Sequence, residues 1–89
     1  MLHVSYSKQF SRDLRRMLKR GKNGENVKNI MRQLINEEQL EHRYRDHKLV
    51  GVYKDRRECH IEPDWLLIYK KSREILVFER TGTHADLFD

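Results

Sequence analysis

The chain has 89 residues, of which 19 are Lys or Arg and 14 are Asp or Glu, so its formal net charge is +5 at pH 7. No apolar run approaches the roughly 20 residues of a membrane-spanning helix, the N-terminus lacks a signal-peptide core, and the single cysteine excludes an internal disulfide and is typical of a reducing compartment. We therefore expect one cytoplasmic domain covering residues 1–89, no membrane contact and, from the positive charge, a polyanionic partner.

The first forty residues have the pattern of one short strand and two helices. Alternation of apolar and polar residues in "LHVSY" predicts the strand. Helical spacing of apolar residues in "SKQFSRDLRRMLKRG" predicts a helix that Ser7 caps and Gly21 ends. The same spacing in "KNGENVKNIMRQLINEEQL" predicts a second helix, opened by Asn23 or Gly24 and ending near Leu40. The short "GKNG" link predicts an antiparallel helical hairpin.

The second half of the chain has the pattern of a loop followed by three strands. The polar segment "EHRYRDHK" predicts the loop, and the strands are "LVGVYKDRRECHI", "WLLIYKK" and "EILVFER". Because the turns between them are short, the strands should form an antiparallel meander. The predicted fold is α+β, in the order β-α-α-β-β-β. Two helices would cover one face of a four-stranded, mostly antiparallel sheet and leave the other face available.

Titratable side chains stand at the borders of the predicted strands. The five that could carry chemistry are His47, His60, Asp64, Arg80 and His84. Period-two geometry puts His60 on the face opposite the core. Imidazoles near neutral pH, a carboxylate and a guanidinium on a basic surface suit RNA transesterification, in which a base deprotonates the 2′-hydroxyl and an acid protonates the leaving 5′-oxygen. That reaction requires no metal and no cofactor.

Each of these residues also has a structural interpretation. A lone histidine is more often exposed or structural than catalytic, and Asp64 is an ordinary residue after a proline turn. Trp65 is most often a core residue, although an edge indole could stack on a base. A zinc site from His60, Asp64 and His84 matches no standard ligand spacing, so we disfavour it. Cys59 has the pattern of a small buried hydrophobe.

The first helix carries a dense run of positive charge. Such a run is either a solvated face or a surface that docks on phosphate. The cations are Arg12, Arg15, Arg16, Lys19, Arg20 and Lys22.

Three blocks of the sequence resemble a known family. The segments "YRDHKLVG", "HIEPDWLLIYK" and "FERTGTHADLF" are similar to motifs of the YafQ branch of RelE-like toxins from bacterial type II toxin–antitoxin systems, and the resemblance covers the whole chain. It implies a RelE-like fold and a ribosome-dependent mRNA endonuclease that cuts the codon in the A site without a metal. It also implies as partners mRNA in the A site, the 70S ribosome and a cognate antitoxin, with operator DNA contacted only through the antitoxin.

The same resemblance assigns roles to the candidate residues. It implies that His47, His60, Asp64 and His84 are catalytic, that Arg80 stabilises the transition state, and that Trp65 and Phe88 shape the site and position the nucleotide. Which histidine is the base and which the acid stays open, with His84 favoured for proton transfer. We expect phosphate contacts from Arg12, Arg15, Arg16, Lys19 and Lys22.

The chain also departs from the family pattern. Lys48 stands where relatives often have proline, and Asp86 and Asp89 add negative charge beside His84. That charge could raise the pKa of His84 or weaken the binding of phosphate. The alternative to a nuclease is a non-catalytic basic RNA- or DNA-binding subunit that acts within an antitoxin-containing repressor complex. Such a subunit would tolerate loss of the titratable residues but not loss of the helix-one cations.

Overall fold

The structure, a computed structural model, describes residues 2–88 and has an α+β fold built on one five-stranded sheet. The strands are β1 (His3–Tyr6), β2 (His47–Lys48), β3 (Arg57–Glu62), β4 (Trp65–Lys71) and β5 (Ile75–Gly82), and the helices are α1 (Lys8–Lys19), α2 (Gly24–Ile35) and α3 (His84–Phe88). The strand order is β1-β5-β4-β3-β2, with β1 parallel to β5 and all other pairs antiparallel. Within this range no helix is long and apolar enough to cross a membrane.

The prediction of an α+β fold is confirmed, but the strand count and the element order are wrong in detail. The stretch predicted as one strand after Lys48 contains a 3-10 turn, Gly51–Tyr53, and the next strand begins only at Arg57. Gly51 and Asp55 have positive φ angles of 72° and 71°, which an extended strand cannot accommodate. His47 and Lys48, predicted as loop, form a fifth strand, and the C-terminal helix α3 was not predicted.

Side-chain caps define the starts of the two long helices. The Ser7 hydroxyl accepts a bond from the Phe10 backbone N–H at 2.8 Å and donates one to the Glu79 carbonyl at 2.7 Å, so it joins the start of α1 to β5. The Asn23 side chain caps α2 in the same way. Helix α2 ends at Ile35 and not near Leu40, because the chain enters the left-handed region at Glu37 (φ 57°).

The two faces of the sheet carry separate apolar clusters. The main core lies between the long helices and the sheet and includes Met17, Ile30, Trp65 and Phe78, each at most 2% exposed. Each large side chain buried there contributes about 1.5–3 kcal/mol. On the opposite face, α3 packs a smaller cluster that consists of Leu66, Ile68 and Leu87, flanked by Leu49 and Tyr53. The face predicted to be open is therefore partly covered.

A bulge in β5 changes which side chains face the smaller cluster. Tyr69 pairs with Phe78 but Ile68 pairs with Arg80, so Glu79 has no partner on β4. Phe78 points into the main core, whereas Arg80 lies on the face of Ile68. The bulge thus separates two residues that a regular strand would place on the same side.

Candidate active site

The register of the central strands brings the ends of β3 and β5 together. His60 on β3 lies opposite Leu66 on β4, and Leu66 lies opposite Gly82 on β5. His84 follows two residues later at the start of α3. Only one strand separates the two ends, so they are about 10 Å apart across the sheet, within reach of two side chains.

The structure brings the three predicted histidines into one line. His47 on β2 pairs with Glu58, two residues before His60 and therefore on the same face. The ring centroids of His47 and His60 are 6.3 Å apart, and those of His60 and His84 are 5.8 Å apart. The side chain of His60 is 12% exposed, whereas those of His47 and His84 are 48% and 55% exposed. One imidazole is thus recessed between two accessible ones.

An open cavity of about 730 Å³ lies over these rings, within the usual range of ligand sites, roughly 300–1,000 Å³. Its lining is mostly polar and includes all three imidazoles. The residues that line it are Arg45, Asp46, His47, Glu58, His60, Pro63 and His84.

Asp64 orients the most exposed of the three imidazoles. Its Oδ1 accepts a bond from the His84 backbone N–H at 2.9 Å and lies 2.8 Å from His84 Nδ1. The backbone bond from His84, followed by the imidazole contact, holds the pKa of Asp64 below its usual value, so the carboxylate stays charged. A charged carboxylate accepts and cannot donate, so Nδ1 must carry the hydrogen. In the neutral ring, Nε2 then carries the lone pair.

In the other two histidines, Nδ1 also faces an acceptor, which here is a backbone carbonyl oxygen. His47 Nδ1 lies 2.6 Å from the carbonyl oxygen of Arg45, and His60 Nδ1 lies 3.3 Å from that of Pro63. A carbonyl oxygen only accepts, so these contacts also assign the hydrogen to Nδ1. All three rings therefore leave Nε2 for proton transfer.

Glu58 also belongs to this site, although no role for it was predicted from the sequence. Its side chain is 5% exposed, and Oε1 lies 3.5 Å from Nε2 of both His47 and His60. No donor within the described part of the chain reaches Oε2, which is also buried. Glu58 thus lies between the two imidazoles, close to the Nε2 atom of each. The available signal was alternation on β3, which places Glu58 and His60 on one face.

The structure does not bring Arg80 into the cavity. Its Nε donates to Asp13 Oδ2 at 2.7 Å, and its Nη2 lies 3.4 Å from Oδ1. Asp13 is 1% exposed and also accepts the Thr81 backbone N–H at 3.1 Å. The hydrogen bond to Asp13 raises the pKa of Arg80. Asp13, which faces the core from α1, was also missed, because helical periodicity marks only apolar residues.

The two predicted aromatic contacts differ. Trp65 is fully buried, with Nε1 donating to Thr81 Oγ1 at 2.9 Å, so the indole cannot stack on a nucleotide and can shape the site only from beneath. The prediction that Trp65 binds substrate directly is therefore wrong, and its interpretation as a core residue is confirmed. Phe88 is 46% exposed, and its ring centroid lies 6.2 Å from that of His84 and 5.6 Å from that of Tyr53. It forms a rim of the site.

The predicted cations of α1 divide into two groups. Arg12, Arg15, Arg16 and Lys19 line one shallow depression on the exposed side of the helix. Lys22 lies beyond the end of α1 and apart from this group. Its Nζ donates to Glu62 Oε1 at 2.8 Å. Across residues 2–88, no three His, Cys, Asp or Glu side chains converge in a geometry that could hold a metal ion.

The chain is similar to known toxins over its full length. Residues 2–89 match the family described as the YafQ bacterial toxin of type II toxin–antitoxin systems. It is 48% identical to the mRNA interferase toxin YafQ of Escherichia coli K12 over 96% of this chain and 94% of that protein. The structure of YafQ from E. coli BL21(DE3) matches with a TM-score of 0.97 at 44% identity, covering 100% of both chains. That of the E. coli DinJ–YafQ toxin–antitoxin complex matches with a TM-score of 0.94 at 46% identity, covering 99% of this chain and 98% of the matched one.

Proposed function

This chain belongs to the YafQ family of toxins from bacterial type II toxin–antitoxin systems, and we propose that it is an endoribonuclease that cuts messenger RNA in the ribosomal A site and so stops translation. The observation that carries the chemistry is the set of three imidazoles whose Nδ1 atoms face fixed acceptors and whose Nε2 atoms remain for proton transfer. A site built this way can both take and give a proton near pH 7.

The reaction that fits this site is transesterification. A general base removes the proton of the 2′-hydroxyl, the 2′-oxygen attacks the adjacent phosphorus, and the bond from phosphorus to the 5′-oxygen breaks. A general acid protonates that leaving oxygen, so the products are a 2′,3′-cyclic phosphate and a free 5′-hydroxyl. Each proton transfer is worth roughly 10²–10⁴-fold in rate.

The geometry suggests how the residues divide this work. His84 carries one proton transfer, because Asp64 orients its ring and stabilises the imidazolium as the proton arrives. The group of His47, Glu58 and His60 carries the other, with Glu58 Oε1 placed 3.5 Å from Nε2 of both rings. Phe88, at the rim, would stack on the nucleotide.

Arg80 remains our proposal for stabilising charge in the transition state. Its Nε bond to Asp13 is short, whereas the Nη2 contact is long at 3.4 Å. We infer that Nη2 exchanges Asp13 for a phosphate oxygen while Nε stays bound. Arginine is suited to this because its several donors are fixed in one plane.

Docking on the ribosome would use the exposed cations of α1. Arg12, Arg15, Arg16 and Lys19 present several positive charges to one side, which suits the phosphates of ribosomal RNA. A cognate antitoxin would hold the toxin inactive, as the E. coli relative is found in complex with DinJ. Contact with operator DNA would be made through that antitoxin, and the ribosomal substrate implies a cytoplasmic location.

The test is primer extension on a defined mRNA in a reconstituted translation system, with and without ribosomes. Wild type should cut within A-site codons only when ribosomes are present, and His84→Ala should lower the rate about 10²–10⁴-fold. His3→Ala, which removes an exposed histidine on β1, is the matched control and should cut like wild type. Tight RNA binding without cleavage by wild type, unaffected by His84→Ala, would instead identify a non-catalytic binding subunit.

A further inference from the structure

Helix α3 carries two site residues but has little of its own to hold it in place. It spans five residues, His84–Phe88, and only Leu87 is buried. An isolated helix of this length does not form in water, because its few hydrogen bonds do not offset the cost of nucleation. The positions of His84 and Phe88 therefore depend on contacts that α3 makes with the rest of the fold.

Asp86 makes the first of these contacts, with the residue that precedes the helix. The Thr83 backbone N–H donates to Asp86 Oδ2 at 2.9 Å, and the Asp86 backbone N–H donates to Thr83 Oγ1 at 3.1 Å. These reciprocal bonds form a capping box that satisfies two N-terminal donors of α3.

The same carboxylate ties α3 to the end of α1. Arg20 Nη1 donates to Asp86 Oδ2 at 2.6 Å and Nη2 donates to Oδ1 at 3.1 Å, so the pair is bidentate. The Asp86 side chain is only 12% exposed, which limits screening by solvent. The bond from Arg20, and then that from Thr83, holds the pKa of Asp86 well below its usual value. The negative charge that Asp86 adds near His84 is thus paired, because Arg20 and Thr83 take up both of its oxygens.

Close packing at Gly82 leaves this contact little freedom. A Cβ atom at Gly82 would lie 3.0 Å from both Cβ and Oδ2 of Asp86. The carboxylate is thus fixed from one side by β5 and from the other by Arg20.

We propose that Arg20 and Asp86 are positioning residues of the nuclease site: their ion pair fixes α3 to α1 and so holds His84 and Phe88 over the cavity. Arg20 belongs to the basic run of the first helix, but its charge serves the site and not phosphate docking. Only the predicted effect on cleavage rests on the proposed function. The effect on the order of α3 can be measured on the isolated protein.

The variant that tests this is Arg20→Gln, which removes the charge and leaves the capping box intact. Arg32→Gln, at an exposed arginine in the last turn of α2, is the matched control. We expect Arg20→Gln to lower kcat for A-site cleavage about tenfold with a smaller rise in KM, because a misplaced His84 slows turnover and a misplaced Phe88 weakens stacking on the nucleotide. Arg20→Lys, which keeps the charge but not the bidentate geometry, should recover part of that loss.

Amide exchange of Leu87, whose N–H donates to the Thr83 carbonyl at 3.1 Å, tests the same contact without ribosomes. NMR should show this exchange about tenfold faster in Arg20→Gln and unchanged in Arg32→Gln. Unchanged exchange, or an Arg20→Gln variant whose KM rises while kcat is unchanged, would overturn the proposal. Absence of cleavage by wild type would refute the nuclease function, and the exchange comparison would still decide whether Arg20 fixes α3.

Discussion

The buried carboxylate of Asp13 allows a quantitative test of how the edge of β5 is held. Its Oδ2 accepts bonds from Arg80 Nε and the Thr81 backbone N–H, and its Oδ1 accepts from Gln9 and, at 3.4 Å and 3.5 Å, from Arg80 Nη2 and Arg16. Asparagine has nearly the same shape but only one acceptor oxygen, so at least two of these donors would face an amide NH₂. Hydrogen bonds to charged groups contribute about 1.5–3 kcal/mol each, and breaking a buried ion pair costs about 3–5 kcal/mol. We expect Asp13→Asn to lower the free energy of unfolding by about 3 kcal/mol.

Urea unfolding followed by fluorescence measures this directly, because Trp65 is the single tryptophan and its indole bonds to Thr81. With an m-value of about 1.5 kcal/mol/M, the loss moves the midpoint down by about 2 M. The matched control is Asp55→Asn, at an exposed aspartate whose positive φ asparagine tolerates. It should stay within about 0.5 kcal/mol of wild type.

A double-mutant cycle with Arg80→Gln separates the ion pair from the remaining bonds. We expect a coupling energy of about 1–2 kcal/mol between the substitutions at 13 and 80, because the two side chains are in direct contact. A midpoint for Asp13→Asn equal to that of the Asp55 control would refute the reasoning, since it would mean that the buried carboxylate contributes nothing to the folded state.

Three further predictions concern other parts of the molecule. Gly82→Ala should destabilise the fold by about 1–3 kcal/mol in urea, because the new methyl group meets Asp86 at 3.0 Å, whereas Gly24→Ala, with 3.4 Å of clearance, should be neutral or mildly stabilising. Burial raises the pKa of the Cys59 thiol, so a thiol reagent at pH 8 should modify it only after unfolding, and rapid modification of the native protein would contradict this assignment. The pKa of Asp64 is lowered in the folded state, because its carboxylate accepts bonds from His84. Its contribution to stability is therefore present above the unfolded pKa of about 3.9 and is lost as the pH falls through the folded pKa. Acid titration should show that wild type loses more stability than Asp64→Asn below pH 4.

Periodicity in the sequence predicted the regular helices and strands. It also predicted the face of a strand on which a side chain lies, where that depends only on alternation. It identified α1, the cap at Ser7 and the orientation of His60, because one buried face repeats every two or 3.6 residues. It missed the end of α2, which a positive φ at Glu37 decides, and the strand at His47, which is too short to show a period.

The sequence named several of the residues that the structure brings together, but not the contacts between them. The resemblance named the three histidines and Asp64, yet it did not indicate that Glu58 lies between two of them. Contacts between residues far apart in the chain, such as that between Asp13 and Arg80, depend on tertiary packing and leave no local pattern.

The bulge at Glu79 decides which face of the sheet Arg80 occupies. In a regular strand continuing from Phe78, Glu79 would share the face of Ile68, and Arg80 would point into the main core. The core would then have to bury an unpaired guanidinium, and the face that carries the histidines would lose that cation. One extra residue in a strand thus keeps Arg80 out of the main core without any change in composition, and the Ser7 hydroxyl, bonded to the Glu79 carbonyl, holds the bulge in place.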